Sequence, residues 1–155
     1  MHQLEVSFVD SSAGLGVYGP VVIAVIAGAD RTENAERTVQ EIRKLRRTTH
    51  AKELHYLYIV IDQAQMPSAK TRQVAAALPT LVDTVVGVHE GEGFRASVVR
   101  AVVTGIGMAG GSLPIIVSST REAAAKLAAM RPSVGPAEAL REALDTLRRA
   151  TLAAE

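Results

Sequence analysis

The sequence predicts an α/β fold: a mainly parallel five-stranded sheet with an N-terminal antiparallel hairpin and helices packed on it. Two observations support this prediction. Short segments rich in Val and Ile alternate along the chain with longer segments whose apolar residues recur at helical spacing. Residues 21–26 are apolar throughout, which is typical of a parallel strand buried on both faces. Strands that alternate with helices favour parallel pairing through right-handed crossovers.

The chain begins with the predicted hairpin. Residues 4–9 alternate apolar and polar side chains, as in a strand with one solvated face. Residues 10–14 have the composition of a turn, and residues 17–26 are predicted to form the second strand of the pair. Pro20 has no amide hydrogen to donate, so it suits an edge or an irregularity of that strand.

The first helix is predicted to begin at a capping box that runs from Asp30 to Glu33 and to end near Thr48. One apolar stripe marks its buried side. The stripe consists of Ala35, Val39, Ile42 and Leu45. The β-branched and aromatic residues that follow predict a strand over residues 54–61.

Two helices and one strand come next. A helix is predicted from Ser68 to about Val82, with a break near Pro79, because a proline ring disrupts a helix interior. A strand is predicted over residues 84–89, and a third helix over residues 93–109. The apolar side of this third helix consists of Phe94, Val98, Val102 and Ile106.

The C-terminal part contains a strand over residues 113–117 and two further helices. Ser119 opens the first of these helices in a second capping box, and that helix runs to Met130. Pro136 suits the first turn of the last helix, which ends near Ala153.

This division predicts one α/β domain over residues 1–130 and a linker with a C-terminal helix over residues 131–155. The helix packs on the domain or extends it. Its apolar stripe either covers its own sheet or joins two copies of the chain in a homodimer. The stripe consists of Ala139, Leu140, Ala143, Leu144 and Leu147.

Composition excludes several classes of function. The chain has 155 residues, which suits one domain with a real core, and it contains no Cys for disulfides, thiolate metal sites or Cys nucleophiles. Aromatic residues make up 3% and the net charge is +1, so we expect no binding to nucleic acid. The longest apolar run is far shorter than a membrane span, and the N-terminus lacks a basic leader. A cytoplasmic protein without a metal or cofactor is therefore the expectation.

The most informative stretch covers residues 59–72. A strand ends at Asp62 and Ser68 opens a helix, at the carboxyl edge where α/β proteins usually bind ligands or partners. Asp62 is a candidate general base, although an aspartate there more often accepts amide hydrogen bonds in the turn. Ser68 either caps the helix or accepts a phosphoryl group, and capping is the commoner role. Lys70, Thr71 and Arg72 either bind an anion or are solvated.

Three further patterns favour structural roles. The glycines of residues 105–110 match GxGxxG, but a helix precedes them and a strand follows, which is the reverse of a dinucleotide site. His89, Glu90 and Glu92 have no second His at ligand spacing, so a solvated loop is favoured over a metal site. A basic cluster ends the first helix, where positive charge complements the helix dipole. It consists of Arg43, Lys44, Arg46, Arg47 and Lys52.

The element order and the strand–Asp–turn–Ser–helix stretch together resemble the STAS family, in particular its SpoIIAA-like, anti-sigma-factor-antagonist-like branch. The resemblance covers roughly residues 4–130 and includes the Phe94-Arg95 opening of the third helix. It places Ser68 at the family's phosphoacceptor position. Pro67 stands where the family usually has Asp, and Lys70 where Gly is common. The resemblance implies a non-enzymatic regulatory or ligand-binding domain.

The leading hypothesis is therefore a regulatory protein that binds a protein partner, with Ser68 as a phosphoacceptor that switches binding. The predicted partner-binding residues are Asp62, Met66, Pro67, Ser68, Lys70, Thr71 and Arg72. The alternative is a domain of the same family that binds a small molecule or lipid, with a pocket lined by the apolar third helix. An enzyme ranks last, because the residues supply no coherent catalytic set.

Overall fold

The structure is a computed structural model that describes residues 1–49, 52–91 and 114–154. Within these ranges the chain forms one mixed sheet with helices on both faces. The strands are β1 (Leu4–Val9), β2 (Ala13–Tyr18), β3 (Val21–Ile26), β4 (His55–Val60), β5 (Thr84–His89) and β6 (Ile115–Val117). The helices are α1 (Thr32–Thr48), α2 (Ala69–Ala75), α3 (Leu78–Leu81), α4 (Thr120–Met130) and α5 (Ala137–Ala153), with a 3₁₀ turn at Pro132–Val134.

The order of strands in the sheet follows their order in the chain. β1, β2 and β3 pair antiparallel, and β3, β4, β5 and β6 pair parallel. The predicted α/β class, with antiparallel pairing at the N-terminus and parallel pairing after it, is confirmed. The predicted number of five strands is wrong, because the described residues form a six-stranded sheet.

The extra strand arises because residues 17–26 are not one strand. Tyr18 pairs with Val21, so the chain reverses at Gly19 and Pro20. Gly19 has a φ of 54°, which favours glycine, and Pro20 needs no ladder donor at a turn. The predicted turn at residues 10–14 is also too long, since β2 already begins at Ala13. The carboxylate of Asp10 holds this tighter turn by accepting hydrogen bonds from the amides of Ser12 and Ala13.

Side chains alternate between the two faces of the sheet. One face, here called the α5 face, is covered by α4 and α5 and includes Ile23, Leu57 and Ile59. The other, here called the α1 face, lies under α1, α2 and α3. Its strand residues include Val22, Ala24, Tyr56, Tyr58 and Val60. The protein is therefore a three-layer α/β/α structure.

Several helix predictions are confirmed. α1 ends at Thr48, and the predicted helix from Ser68 to Val82 is broken into α2 and α3, with Pro79 in the first turn of α3. The hydroxyl of Ser119 caps α4 by accepting a hydrogen bond from the amide of Glu122 at 3.1 Å. α5 begins directly after Pro136. The predicted third helix, residues 93–109, lies outside the described residues.

The capping box at Asp30 is wrong. α1 begins at Thr32, and its N-cap residue Arg31 makes no side-chain cap hydrogen bond. The carboxylate of Asp30 instead accepts a hydrogen bond from the amide of Ser68 at 2.9 Å. This contact between distant segments outcompetes the local cap.

The apolar stripe of α5 is buried against the sheet of its own chain. Leu140, Leu144 and Leu147 have no exposed surface. The close approach of α5 depends on Gly14 of β2, since a Cβ atom there would collide with the Thr151 hydroxyl. The stripe thus covers its own sheet, which removes it as an exposed surface for a homodimer. Within the described ranges, no helix is both long and apolar enough to cross a bilayer.

Candidate functional site

Two loops and a turn meet at the carboxyl edge of the parallel strands. The β1–β2 turn contacts the β3–α1 loop through Ser12, whose carbonyl accepts hydrogen bonds from the amides of Ala27 and Gly28 at 3.0 and 3.1 Å. The Ser12 hydroxyl also accepts a hydrogen bond from the side chain of Asn34 at 3.0 Å. The turn is therefore fastened to the start of α1.

The β3–α1 loop is fastened in the same way to the β4–α2 loop. The backbone amide of Gln65 donates to the Gly28 carbonyl at 3.0 Å. The side-chain oxygen of Gln65 accepts a hydrogen bond from the backbone amide of Asp30, also at 3.0 Å. The hydroxyls of Thr32 and Thr71 lie 2.9 Å apart and link the first turns of α1 and α2. With the Asp30–Ser68 contact, these bonds tie the two loops together along their length.

Ser68 has the capping role that is common for a serine at this position. Its hydroxyl accepts from the amide of Thr71 at 3.2 Å and donates to the Thr71 hydroxyl at 3.1 Å. The side chain remains exposed beside the first turn of α2. A kinase could therefore reach Ser68, although phosphorylation at this residue stays a prediction.

The other predicted partner-binding residues divide into two groups. Met66, Lys70 and Arg72 are exposed, with 40% of Met66 accessible to solvent. Pro67 and Thr71 are partly buried because they line a cavity behind the loop. All five residues lie on one segment of the sequence, but in the structure three of them face solvent and two face the cavity.

Asp62 differs from its predicted role as an acceptor in the turn. No hydrogen bond to its carboxylate occurs among the described residues, and its side chain is exposed. The carboxylate instead lies against Gly91, where a Cβ atom would collide with it. Asp62 therefore marks where the end of β5 approaches the β4–α2 loop.

The cavity lies between the α1 face and the three helices that cover it. Its volume is about 140 Å³, and its walls come from the strands β1 to β5 and the helices α1, α2 and α3. The deep wall is mainly apolar. It includes Leu15, Ala24, Val60, Leu78 and Val85. Exposed wall residues Ala29 and Arg31 lie in the β3–α1 loop, so the cavity meets solvent at the carboxyl edge.

Most polar side chains on this wall already have partners. Ser12 donates its hydroxyl to Asp10 at 2.6 Å, and Thr38 donates to the Asn34 carbonyl at 3.0 Å. Asn34 accepts from Arg37 at 3.0 Å, and that guanidinium also lies 3.9 Å from the centre of the Phe8 ring. These bonds make the upper wall a fixed framework.

Two tyrosines project from β4 into the α1 face. The hydroxyl of Tyr58 lies 3.2 Å from Nε2 of His89, and the two rings meet edge to face. Tyr56 lines the cavity with 6% of its surface exposed, and its hydroxyl has no hydrogen bond among the described residues. Burial raises the pKa of both hydroxyls well above the ordinary value, so each remains a proton donor near neutral pH.

Positive charge lies at the mouth of the cavity. Arg31 and Arg37 are both on the wall, and the side chain of Arg31 makes no hydrogen bond or ion pair with the described residues. Its charge contributes to lowering the pKa of Asp10, although the hydrogen bond from the Ser12 hydroxyl is the larger cause. The N-terminus of α1, which has no side-chain cap, adds the partial positive charge of the helix dipole.

A second polar cluster lies at the opposite, amino edge of the sheet. His55 is fully buried there, with Nε2 at 3.6 Å from the carboxylate of Glu53. Glu53 also accepts a hydrogen bond from Ser133 and contacts Arg131 at 3.5 Å. Burial lowers the pKa of His55, and the Ser133 hydroxyl is the main cause of a lowered pKa at Glu53. This cluster fastens the start of β4 to the segment that follows α4.

The remaining sequence candidates have structural partners or lie outside the described ranges. Glu90 forms a two-point contact with the guanidinium of Arg148 at 2.6 and 2.7 Å, which occupies its carboxylate. Glu92 and the GxGxxG segment at residues 105–110 are outside the described residues. Arg46 of the basic cluster binds Asp83 at 3.2 Å. In the part of the chain that the structure describes, no three metal-ligating side chains come together.

No protein-family model matches this chain, and no match to it was found among curated proteins or solved structures. The resemblance to the STAS family therefore stays a prediction from the sequence pattern. The functional conclusion rests on the cavity and the loops that frame it.

Proposed function

We propose that this protein binds a small, mainly apolar molecule in the cavity on the α1 face. The observation that carries the proposal is a space of about 140 Å³ with an apolar deep wall and a polar rim. An engineered apolar cavity of about 150 Å³ stays dry and takes up benzene, so a ring of that size is the natural scale for the ligand.

The apolar deep wall supports the same conclusion. An apolar group that enters the cavity leaves water for contact with apolar side chains, which is favourable. The carboxyl edge of the strands, where the cavity opens, is also where α/β proteins commonly bind ligands.

The test uses toluene as the probe and a variant that fills the cavity. Chemical denaturation of the wild type with toluene at ten times its Kd should show an unfolding free energy higher by about 1.4 kcal/mol. Ala24→Leu places three carbons into the cavity from β3. We expect it to raise the unfolding free energy without ligand by about 0.5–2 kcal/mol and to abolish the response to toluene.

A matched control adds the same carbons elsewhere. Ala125 is exposed on α4, so Ala125→Leu should leave the response to toluene unchanged. If Ala24→Leu responds to toluene as strongly as the wild type, the ligand does not occupy this cavity and the proposal fails.

A second candidate function is favoured by the exposed Ser68. Its amide donates to the carboxylate of Asp30 at 2.9 Å, so a phosphoryl group on Ser68 would place negative charge beside another negative charge. That repulsion would loosen the contact between the β3–α1 and β4–α2 loops. The corresponding function is a non-enzymatic regulator whose binding to a protein partner is switched at this edge, as the resemblance to the STAS family implies.

The switch is tested with a charged and an uncharged substitution at Ser68, each with and without the Asp30 carboxylate. Ser68→Asp should speed hydrogen exchange of the Ser68 and Thr71 amides, while Ser68→Ala should affect mainly the capped Thr71 amide. In an Asp30→Asn background the two substitutions should become similar at residue 68, because the repelling charge is gone. Phosphosites are then mapped on the wild type, and the partners that the two variants capture are compared; equal partner binding by both variants would rule out the switch.

A further inference from the structure

We propose that the ligand is a small aromatic carboxylate that carries a hydroxyl at the end of its ring opposite the carboxylate. This inference rests on the proposed function, and it comes from two wall groups without partners. Among the described residues, neither the guanidinium of Arg31 nor the hydroxyl of Tyr56 makes a hydrogen bond, whereas the neighbouring polar groups of the wall do. The two unpaired groups differ in charge and in depth.

The two groups lie at different depths in the cavity. Arg31 is exposed at the carboxyl edge, where it directly precedes α1. Tyr56 is the second residue of β4 and pairs with Val22, whereas Val60, at the carboxyl end, pairs with Ile26. Four residues of strand span about 13 Å, so the backbone of Tyr56 lies well below the mouth. A ligand that reaches both groups needs two polar ends.

The mouth offers a charged donor to a ligand carboxylate. Arg31 and Arg37 carry positive charge there, and α1 has no side chain that caps its first turn. The carboxylates of Asp30 and Asp10 lie nearby and keep their negative charge, but amides hold both in place: Ser68 donates to Asp30, and Ser12 and Ala13 donate to Asp10. A ligand carboxylate would thus find the guanidinium of Arg31 as a cation that has no hydrogen bond with the described residues.

The deep end favours a neutral oxygen. Tyr56 has an exposed fraction of 6%, and its hydroxyl makes no hydrogen bond with the described residues, so it is available as a donor to a ligand in the cavity. Val22, Leu78 and Val85 of the same cluster are apolar, and the neighbouring ring of Tyr58 is neutral, so these residues supply no cation for a buried carboxylate. The hydroxyl of a phenol accepts a hydrogen bond there without introducing charge.

The size of the cavity limits the body between the two ends. A volume of about 140 Å³ matches one aromatic ring with small substituents. The simplest probe with both polar ends on one ring is 4-hydroxybenzoate. Benzoate lacks the deep hydroxyl, phenol lacks the carboxylate, and toluene lacks both.

The experiment measures the Kd of the four probes by NMR titration of the full chain. We expect 4-hydroxybenzoate to bind tightest and toluene weakest. Tyr56→Phe should weaken 4-hydroxybenzoate roughly five-fold and leave benzoate unchanged. Arg31→Gln should weaken both carboxylates about three-fold and leave phenol unchanged. Arg43→Gln, an exposed position on the same helix but off the cavity wall, should change none of them.

The outcomes separate the two proposals. If toluene binds in the cavity and 4-hydroxybenzoate binds no tighter, the ligand class is wrong while the proposed function stands. If Tyr56→Phe weakens benzoate and 4-hydroxybenzoate equally, Tyr56 acts through packing and the deep hydrogen bond is excluded. If none of the four probes binds the wild type, the proposed function and this inference fail together.

Discussion

The two faces of the sheet are built from similar strands but differ in how they are covered. On the α5 face, the contact layer is continuous and its large side chains have no exposed surface. These side chains are Ile23, Leu57, Ile59, Leu127, Leu140, Leu144 and Leu147. On the α1 face, a space of about 140 Å³ remains between the sheet and its helices. One face is packed without a described cavity, and the other contains the cavity in which we propose that a ligand binds.

The difference follows from the covering helices. α5 has 17 residues and approaches the sheet closely over Gly14. The α1 face is covered in part by α2 and α3, which have seven and four residues, and α2 contributes no buried residue. Short helices separated by a break cannot present a continuous apolar stripe. The cavity lies under this interrupted part of the layer.

The largest effect should come from shortening the same side chain on each face. Leu144→Ala removes a fully buried side chain from the continuous layer, and we expect a loss of about 3–5 kcal/mol in unfolding free energy. Leu78→Ala enlarges an existing cavity and removes fewer contacts, so we expect a loss of about 2–3 kcal/mol. Denaturant titration measures both. Equal losses would mean that the two faces are packed equally well.

The next effect tests the close approach of α5. Gly14→Ala brings a Cβ atom into the Thr151 hydroxyl, and we expect it to cost about 1–3 kcal/mol. The second substitution Thr151→Ala removes the obstructing atom, so the double variant should lose less than the sum of the two single losses. Additive losses in the double variant would show that contact with Thr151 is not the cause.

The smallest effect concerns the pH dependence of the α5 face, where His55 is buried. Its folded pKa lies below the ordinary value of 6.5, so the unfolded chain binds the proton more readily. The free energy of unfolding should be highest above pH 6.5. It should fall by up to about 1.4 kcal/mol per pH unit as the pH drops from 6.5 toward the folded pKa.

The control for this prediction is His55→Gln, which keeps a polar side chain without a titration. Between pH 6.5 and 5, its unfolding free energy should change less with pH than that of the wild type. A wild-type curve that is parallel to the variant's curve would exclude His55 as the source of the dependence.

Local sequence patterns correctly predicted the helix cap, the helix break and the strand bounds that depend on neighbouring residues alone. Ser119 caps its helix, Pro79 lies at a helix break, and residues 84–89 form a strand with the predicted bounds. A local pattern gave a wrong prediction where a contact between distant residues determines the structure. Asp30 looks like a capping residue, but its carboxylate binds the amide of Ser68, 38 residues away. The reversal at Gly19 was hidden because apolar residues continue on both sides of it.

The candidate site was predicted only in part. The carboxyl edge and its loops follow from the strand–turn–helix pattern around Ser68. The cavity does not, because its wall comes from five strands and three helices that are spread along the chain. The sequence predicts Tyr56 and Tyr58 to lie in a strand, and because they are two residues apart, their side chains point to the same face of the sheet. The space beside Tyr56 depends on how the helices pack, which no local pattern records.

The central claim, that the α1 face binds a ligand and the α5 face does not, is tested most directly by methyl NMR during a toluene titration. We expect saturable chemical-shift changes at methyls on the cavity face and none at those under α5. The reporters are Val22, Val60 and Leu78 on the α1 face and Leu127, Leu144 and Leu147 on the α5 face. No shift at either set, or equal shifts at both, would contradict the account.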